Sequence, residues 1–211
     1  MTKKELAILS IAALKKLYPD AVCSLEAKEP YQLLMATRLS AQCTDARVNI
    51  VTEVLFKKFP TLESIAEANL AEIEECIKSC GLYKTKARDL KNMANELLTR
   101  YNGVVPDTIE ELITLPGVGR KTANLIVGDV YGKPSVVVDT HCIRITNRIG
   151  LVSEKDPQKI EFALKKFLPP EESGNFCHRI VHHGRALCTA RSPKCEDCPL
   201  SSFCKYAKST H

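Results

Sequence analysis

Seven residues, Leu115-Pro116-Gly117-Val118-Gly119-Arg120-Lys121, set an amine beside a glycine-bounded turn, and Asp139 adds a carboxylate eighteen positions later. The run Thr108 to Thr114 reads as one short helix that Pro116 ends, and Gly119 starts a second running to about Tyr131. Two helices joined in this way form a hairpin. Glycines at 117 and 119 admit left-handed torsions and carry no side chain, so amide N–H groups near the second helix can face a phosphate. Such a contact reads the backbone of a nucleic acid and not its base sequence. The plainer reading of the same glycines is a helix C-cap followed by a tight turn. Lys121 stands in the first turn of the second helix, where the positive end of the macrodipole disfavours an ammonium, and a neutral amine is a nucleophile. Beyond the break at Gly132-Lys133-Pro134-Ser135, Val136-Val137-Val138 is a short apolar run, and Asp139-Thr140 falls where the N-cap of a helix His141 to Ile149 belongs. A carboxylate there can serve as a cap alone, or it can also oppose positive charge developing on a sugar.

A second concentration of chemistry lies near the C-terminus. Cys188, Cys195, Cys198 and Cys204 are separated by six, two and five residues. Structural zinc modules usually pair two Cys-x2-Cys knuckles, or cysteine with histidine, across a longer loop, and here there is one knuckle. Four thiolates in a compact loop also suit a cubane [4Fe-4S] cluster, so spacing alone leaves iron–sulfur and zinc both open, with iron–sulfur ahead. Cys23, Cys43, Cys76, Cys80, Cys142 and Cys177 are scattered and read mostly as small core hydrophobes. Cys76 and Cys80 would share a helix face and could grip a metal, though no second pair accompanies them. His178 and His182 are likewise one helical turn apart without a third ligand, and His183 has no assignment.

These residues must be positioned by helices, because the apolar periodicity is helical almost throughout. Leu6, Leu9, Ala13 and Leu17 form one stripe, Val48, Val51, Leu55 and Phe59 another, and Leu90, Ala94, Leu97 and Tyr101 a third. Pro30 precedes a helix Tyr31 to Leu39, and Thr44-Asp45 offers the next cap. Further helices are expected at Thr61 to Ala68, Leu70 to Lys78, Asp156 to Phe167 and Glu172 to Leu187. Only Val136 to Val138 looks strand-like, and it is too short for a sheet, so the fold class is all-α. The chain has 211 residues and a net charge of +5, long enough for a real core and too weakly basic to identify a partner by charge alone. From Phe176 onward six basic residues face two acidic ones, whereas Lys58 to Cys80 holds five Glu against two Lys. That asymmetry suits one face meeting a polyanion, and it also occurs on ordinary solvated surfaces. Without an extended apolar run or a signal peptide, a soluble, cytoplasmic protein is expected, in which thiols stay reduced and metal ligation outranks disulfides.

Leu115-Pro-Gly-Val-Gly-Arg-Lys-Thr-Ala123 followed by Val138-Asp-Thr-His141 resembles the helix-hairpin-helix, Gly/Pro-rich loop and aspartate signature of DNA glycosylases. The resemblance is greatest to the endonuclease III family of bifunctional glycosylases and abasic-site lyases. It runs through Leu39-Ser-Ala-Gln-Cys-Thr-Asp45, Gly81-Leu-Tyr83 and the four C-terminal cysteines. It implies two helical lobes with a DNA-binding cleft between them. One is a six-helix barrel over residues 23–134 that carries the hairpin at about 108–131; the other is an iron–sulfur lobe made from residues 1–22 and 135–211. It also implies that Lys121 forms a Schiff base with deoxyribose while Asp139 stabilises positive charge, that a damaged pyrimidine leaves, and that β-elimination cuts the strand. Further implications are a [4Fe-4S] cluster on Cys188, Cys195, Cys198 and Cys204, and phosphate contacts from Gly117, Val118, Gly119, Arg191 and Lys194. Gln42 and Leu82 would fill the gap left by the flipped nucleotide. The expected partner is duplex DNA with damaged pyrimidines or abasic sites, met by a monomer near the nucleoid without a membrane. Two rivals remain: an adenine-mismatch glycosylase relative, which lacks a lysine at the position of Lys121, and a DNA-binding hairpin module without catalysis.

Overall fold

Oxygen-bearing side chains and prolines decide where the helices of this protein start. In the computed structural model, which describes residues 1–210, α1 (Lys3–Leu17) begins with a capping box: Glu5 N–H donates to Thr2 Oγ1, and Thr2 N–H donates to Glu5 Oε2. Thr44 caps α3 (Asp45–Lys58), Thr61 caps α4 (Leu62–Glu67) and Asn69 caps α5 (Leu70–Ile77). Pro30, Pro157 and Pro170 stand at the starts of α2 (Pro30–Leu39), α10 (Pro157–Lys165) and α11 (Pro170–Ala186), where a missing N–H costs nothing. The remaining helices are α6 (Tyr83–Tyr101), α7 (Ile109–Leu112), α8 (Arg120–Asp129), α9 (Thr140–Ile149) and α12 (Lys205–Thr210). Among the described residues there is no strand, and Val136 to Val138 lies in an irregular connector between α8 and α9.

Contacts divide the chain into two compact units. Cys23–Tyr131 holds α2 to α8, while Met1–Val22 joins the chain from Gly132 onward to hold α1 and α9 to α12. Gly132, Lys133 and Pro134 thus fall with the second unit. In the first unit Leu34, Met35, Leu55, Ile65, Leu90, Met93 and Leu97 are fully buried, each such side chain contributing about 1.5–3 kcal/mol. The stripes expected on α3 and on most of α6 are the buried faces. In the second unit Leu14, Ile145, Ile160, Phe176 and Ile180 share one core. Here α1 turns a different face inward from the one expected: Leu6, Ala7, Ser10, Ile11 and Leu14 are buried, whereas Leu9 and Leu17 are exposed. Ser10 is accommodated because its hydroxyl donates to Leu6 O at 2.7 Å, so the polar residue satisfies itself within the helix.

Candidate functional site

The hairpin turn is built on an ion pair. Arg38 on α2 donates from Nε to Asp89 Oδ2 on α6 at 2.8 Å, and its Nη2 lies 2.6 Å from the same oxygen. Gly117 sits directly over this pair with φ +71°, and a Cβ there would lie 2.5 Å from Arg38 Nε and 2.9 Å from Asp89 Oδ2. The left-handed torsion and the crowding both require glycine. We expect Gly117→Ala to destabilise the protein by about 2 kcal/mol or more, read as a lower urea midpoint at constant m. Gly119 differs from expectation: its φ is −95°, so it serves as the N-cap of α8 in an extended conformation open to any residue. A Cβ at Gly119 would meet nothing within 4 Å, which leaves the start of α8 clear for an approaching group. Val118 is buried and its N–H donates to Leu115 O, so its side chain anchors the turn and can offer a ligand little beyond backbone. Lys121 follows in the first turn of α8 and is exposed.

Two more of the expected residues stand out by their torsions. Among the described residues three non-glycines have positive φ: Gln42 at 56°, Leu82 at 58° and Asn102 at 51°. Asn102 ends α6, where asparagine is a common left-handed cap. Gln42 and Leu82 have no such excuse, and Leu82 is 64% exposed. Backbone strain of this kind clusters at binding sites and ligand clamps, and here it holds a bulky apolar side chain outward. Lys86, which sequence reasoning passed over, fixes the first of these segments: wholly buried, it donates from Nζ to Leu39 O at 2.8 Å and to Ala41 O at 2.7 Å. Burial lowers its pKa.

In the second unit, Asp139 is the N-cap of α9, its Oδ1 accepting from Cys142 N–H at 2.7 Å, and it remains half-buried. The four C-terminal cysteines line one pocket together with Arg148 and His183. Burial first, and then repulsion among the sulfurs, pushes the Cys195 thiol up; Cys198 is raised by the same two causes. A cationic iron–sulfur group would reverse that penalty, and four soft sulfur donors lining one pocket suit it. Arg148 organises the loop: its Nη1 lies 3.3 Å from Cys188 Sγ and donates to Thr189 O at 2.7 Å, and its Nη2 donates to Ala190 O at 2.9 Å. One helical turn earlier, Arg144 donates to Cys188 O and Gly184 O. Gly184 is a close-approach glycine, since a Cβ would run into His141 and Arg144.

His183, left unassigned from sequence, is buried against the cavity. Its Nε2 lies 3.5 Å from Cys198 Sγ and its Nδ1 3.4 Å from Tyr18 Oη. Burial pushes its pKa down to about 4, so the imidazole is neutral near pH 7. The metal pair imagined at Cys76 and Cys80 does not form on one helix face, because α5 ends at Ile77 and Cys80 lies beyond it. Of the scattered cysteines, Cys80, Cys142 and Cys177 are core residues, but Cys23, Cys43 and Cys76 are only half-buried. Arg191 and Lys194 are exposed on the cysteine loop.

Residues 35–170 match the HhH-GPD superfamily of base excision DNA repair proteins, and residues 188–204 match the iron–sulfur binding domain of endonuclease III. The chain is 44% identical to endonuclease III of Synechocystis sp. over 210 residues, 99% of this chain and 96% of that one. It is 42% identical to endonuclease III of Bacillus subtilis over 190 residues, 90% and 87% of the two chains. Its fold is similar to that of a trapped endonuclease III–DNA covalent intermediate, with a TM-score of 0.93, 41% identity, and coverage of 100% of this chain and 99% of that one.

Proposed function

Because this chain belongs to the HhH-GPD superfamily of base excision DNA repair proteins, and within it to the endonuclease III family, we propose that it excises damaged pyrimidines from duplex DNA and cuts the strand at the resulting abasic site. The observation that carries this reading is Lys121, an exposed amine in the first turn of α8, just past a turn that only Gly117 can make. Lys121 Nζ attacks the anomeric carbon of the deoxyribose, the C–N bond to the base breaks, and the base leaves with a proton. The ring opens to a protonated Schiff base. Loss of a C2′ proton then expels the 3′ phosphate, so one difficult displacement becomes several easier steps. The carboxylate of Asp139 opposes the positive charge that develops on the sugar. That a related endonuclease III has been trapped as a covalent DNA intermediate supports the lysine route.

Cys188, Cys195, Cys198 and Cys204 would hold a [4Fe-4S] cluster, which when bound gives the loop a rigid covalent centre. Arg191 and Lys194 on that loop would contact phosphates. Replacing both by alanine is expected to reduce the slope of log K against log salt by about 1.8, measured by titration at several salt concentrations. Leu82 and Gln42 would enter the gap that the flipped nucleotide leaves in the stack. Leu82→Ala should slow excision from duplex DNA by roughly tenfold or more while sparing the same lesion in single-stranded DNA, where no stack needs filling. Equal slowing on both substrates would remove the wedge role. Among the described residues no helix is long and apolar enough to cross a membrane, and we place the enzyme in the cytoplasm at the nucleoid, working as a monomer. Borohydride added to enzyme and abasic duplex should leave a covalent adduct; a binding module would leave none.

A further inference from the structure

Two thiols join the segments that carry Gln42 and Leu82. Cys43 follows Gln42, Cys80 precedes Gly81-Leu82, and their Sγ atoms lie 3.8 Å apart. The backbones also meet here, since a Cβ on Gly81 would lie 3.7 Å from Gln42 O. Cys43 is half-buried and so reachable from solvent, whereas Cys80 is 1% exposed. We propose that Cys43 and Cys80 are a thiol oxidation site, which closes into a reversible disulfide and locks the two wedge segments together.

The arrangement assigns each sulfur a role. A hydroperoxide can reach Cys43 but not Cys80. The Cys43 sulfur attacks one peroxide oxygen, the O–O bond breaks, and the departing hydroxide takes the thiol proton, giving water and Cys43 sulfenic acid. Cys80 sulfur then attacks Cys43 sulfur, the S–O bond breaks, and a second water leaves with the Cys80 proton. Two thiols lose two electrons to one peroxide and form one S–S bond. Burial pushes the Cys80 thiol up to about 11, with contact from Cys43 adding to the shift, so little of it is thiolate at neutral pH. Geometry compensates: the partner sulfur is already in contact, so the attack needs no approach. A dithiol reductant reverses the bond by exchange.

Closure has a mechanical consequence that rests on the wedge roles proposed for Gln42 and Leu82. A disulfide requires about 2.05 Å between sulfurs, so closure from 3.8 Å draws the Cys43 and Cys80 side chains together and ties the two segments covalently. Lys86 holds the carbonyls of Leu39 and Ala41 from beneath, leaving the strained residues Gln42 and Leu82 to take up the movement. The oxidised enzyme would then present its wedges out of register with a one-nucleotide gap. A second thiol pair, Cys142 with Cys177, is buried at both ends and should stay reduced.

The test uses the intact cluster-bearing enzyme and a small excess of hydrogen peroxide. Visible absorbance is recorded before and after, so that only samples with an undamaged cluster are compared. Free thiols are then blocked with N-ethylmaleimide and the protein is digested with trypsin. Mass spectrometry should find the peptide 39–47 joined to the peptide 79–84, and dithiothreitol should release it. Blocked thiols on both peptides, or cross-links elsewhere, overturn the site. Excision from a lesion duplex should fall roughly tenfold or more on oxidation and return with dithiothreitol, while a Cys43→Ser enzyme treated identically keeps its rate. A cross-link with unaltered excision, or equal loss in Cys43→Ser, overturns the locking. Because Leu82→Ala tests the wedge without any oxidant, failure of that role is distinguishable from failure of the disulfide.

Discussion

Replacing Lys121 by glutamine is expected to lower strand cleavage by about 10³-fold or more and to abolish borohydride trapping, while the fold is kept. The size follows from what is lost. Glutamine has no lone pair free to form an imine, so the covalent route disappears, and removing a nucleophile usually costs most of the chemical acceleration. A 10³-fold loss corresponds to about 4 kcal/mol of transition-state stabilisation. The fold should not notice: Lys121 is exposed in α8, and glutamine and lysine have nearly equal helix propensities. Circular dichroism and urea midpoint should therefore match wild type within about 0.5 kcal/mol. DNA affinity should fall much less than activity, because the turn at Gly117 and the loop charges are untouched.

The second large effect is expected at Asp139, where one side chain has two duties that substitution can separate. Its Oδ1 caps α9 through Cys142 N–H, and its charge is assigned to the sugar. Asparagine is as good a cap as aspartate, so Asp139→Asn should hold stability within about 1 kcal/mol. Losing the carboxylate should reduce base excision about 10²- to 10³-fold, the range seen when one preorganised electrostatic contact is removed. Asp139→Ala should show the same kinetic loss plus about 1 kcal/mol of stability for the missing cap. If Asp139→Asn excises bases at the wild-type rate and Asp139→Ala is merely less stable, the residue is a cap and nothing more.

Features that depend on neighbours in sequence were the legible ones. Thr44 and Asp139 cap the helices expected of them, Pro30 opens α2, and Gly117 takes the left-handed torsion. Features that depend on packing were not. A stripe through Leu9 and Leu17 is as good a helical pattern as the buried face through Leu6, Ile11 and Leu14, and only the contacts α1 makes with α11 choose between them. Arg144 and Arg148 are one turn apart on α9, a visible spacing, yet nothing local says that both reach the Cys188 loop. Tyr18 and His183 are 165 positions apart, and the Cys43–Cys80 contact spans 37. Gly119 misled in the other direction, since a glycine that looked like a torsional necessity sits at φ −95°. Its use is the space it leaves. For the cysteine loop, spacing left zinc and iron–sulfur open, and the match of residues 188–204 to an iron–sulfur binding domain resolves it.

The assignment of the nucleophile is tested most directly by locating the trapped bond. After borohydride reduction of the enzyme on an abasic duplex, nuclease and protease digestion should leave a deoxyribose remnant that mass spectrometry places on Lys121. A remnant found instead on the N-terminal amine or on another lysine such as Lys133, with Lys121 unmodified, would contradict it.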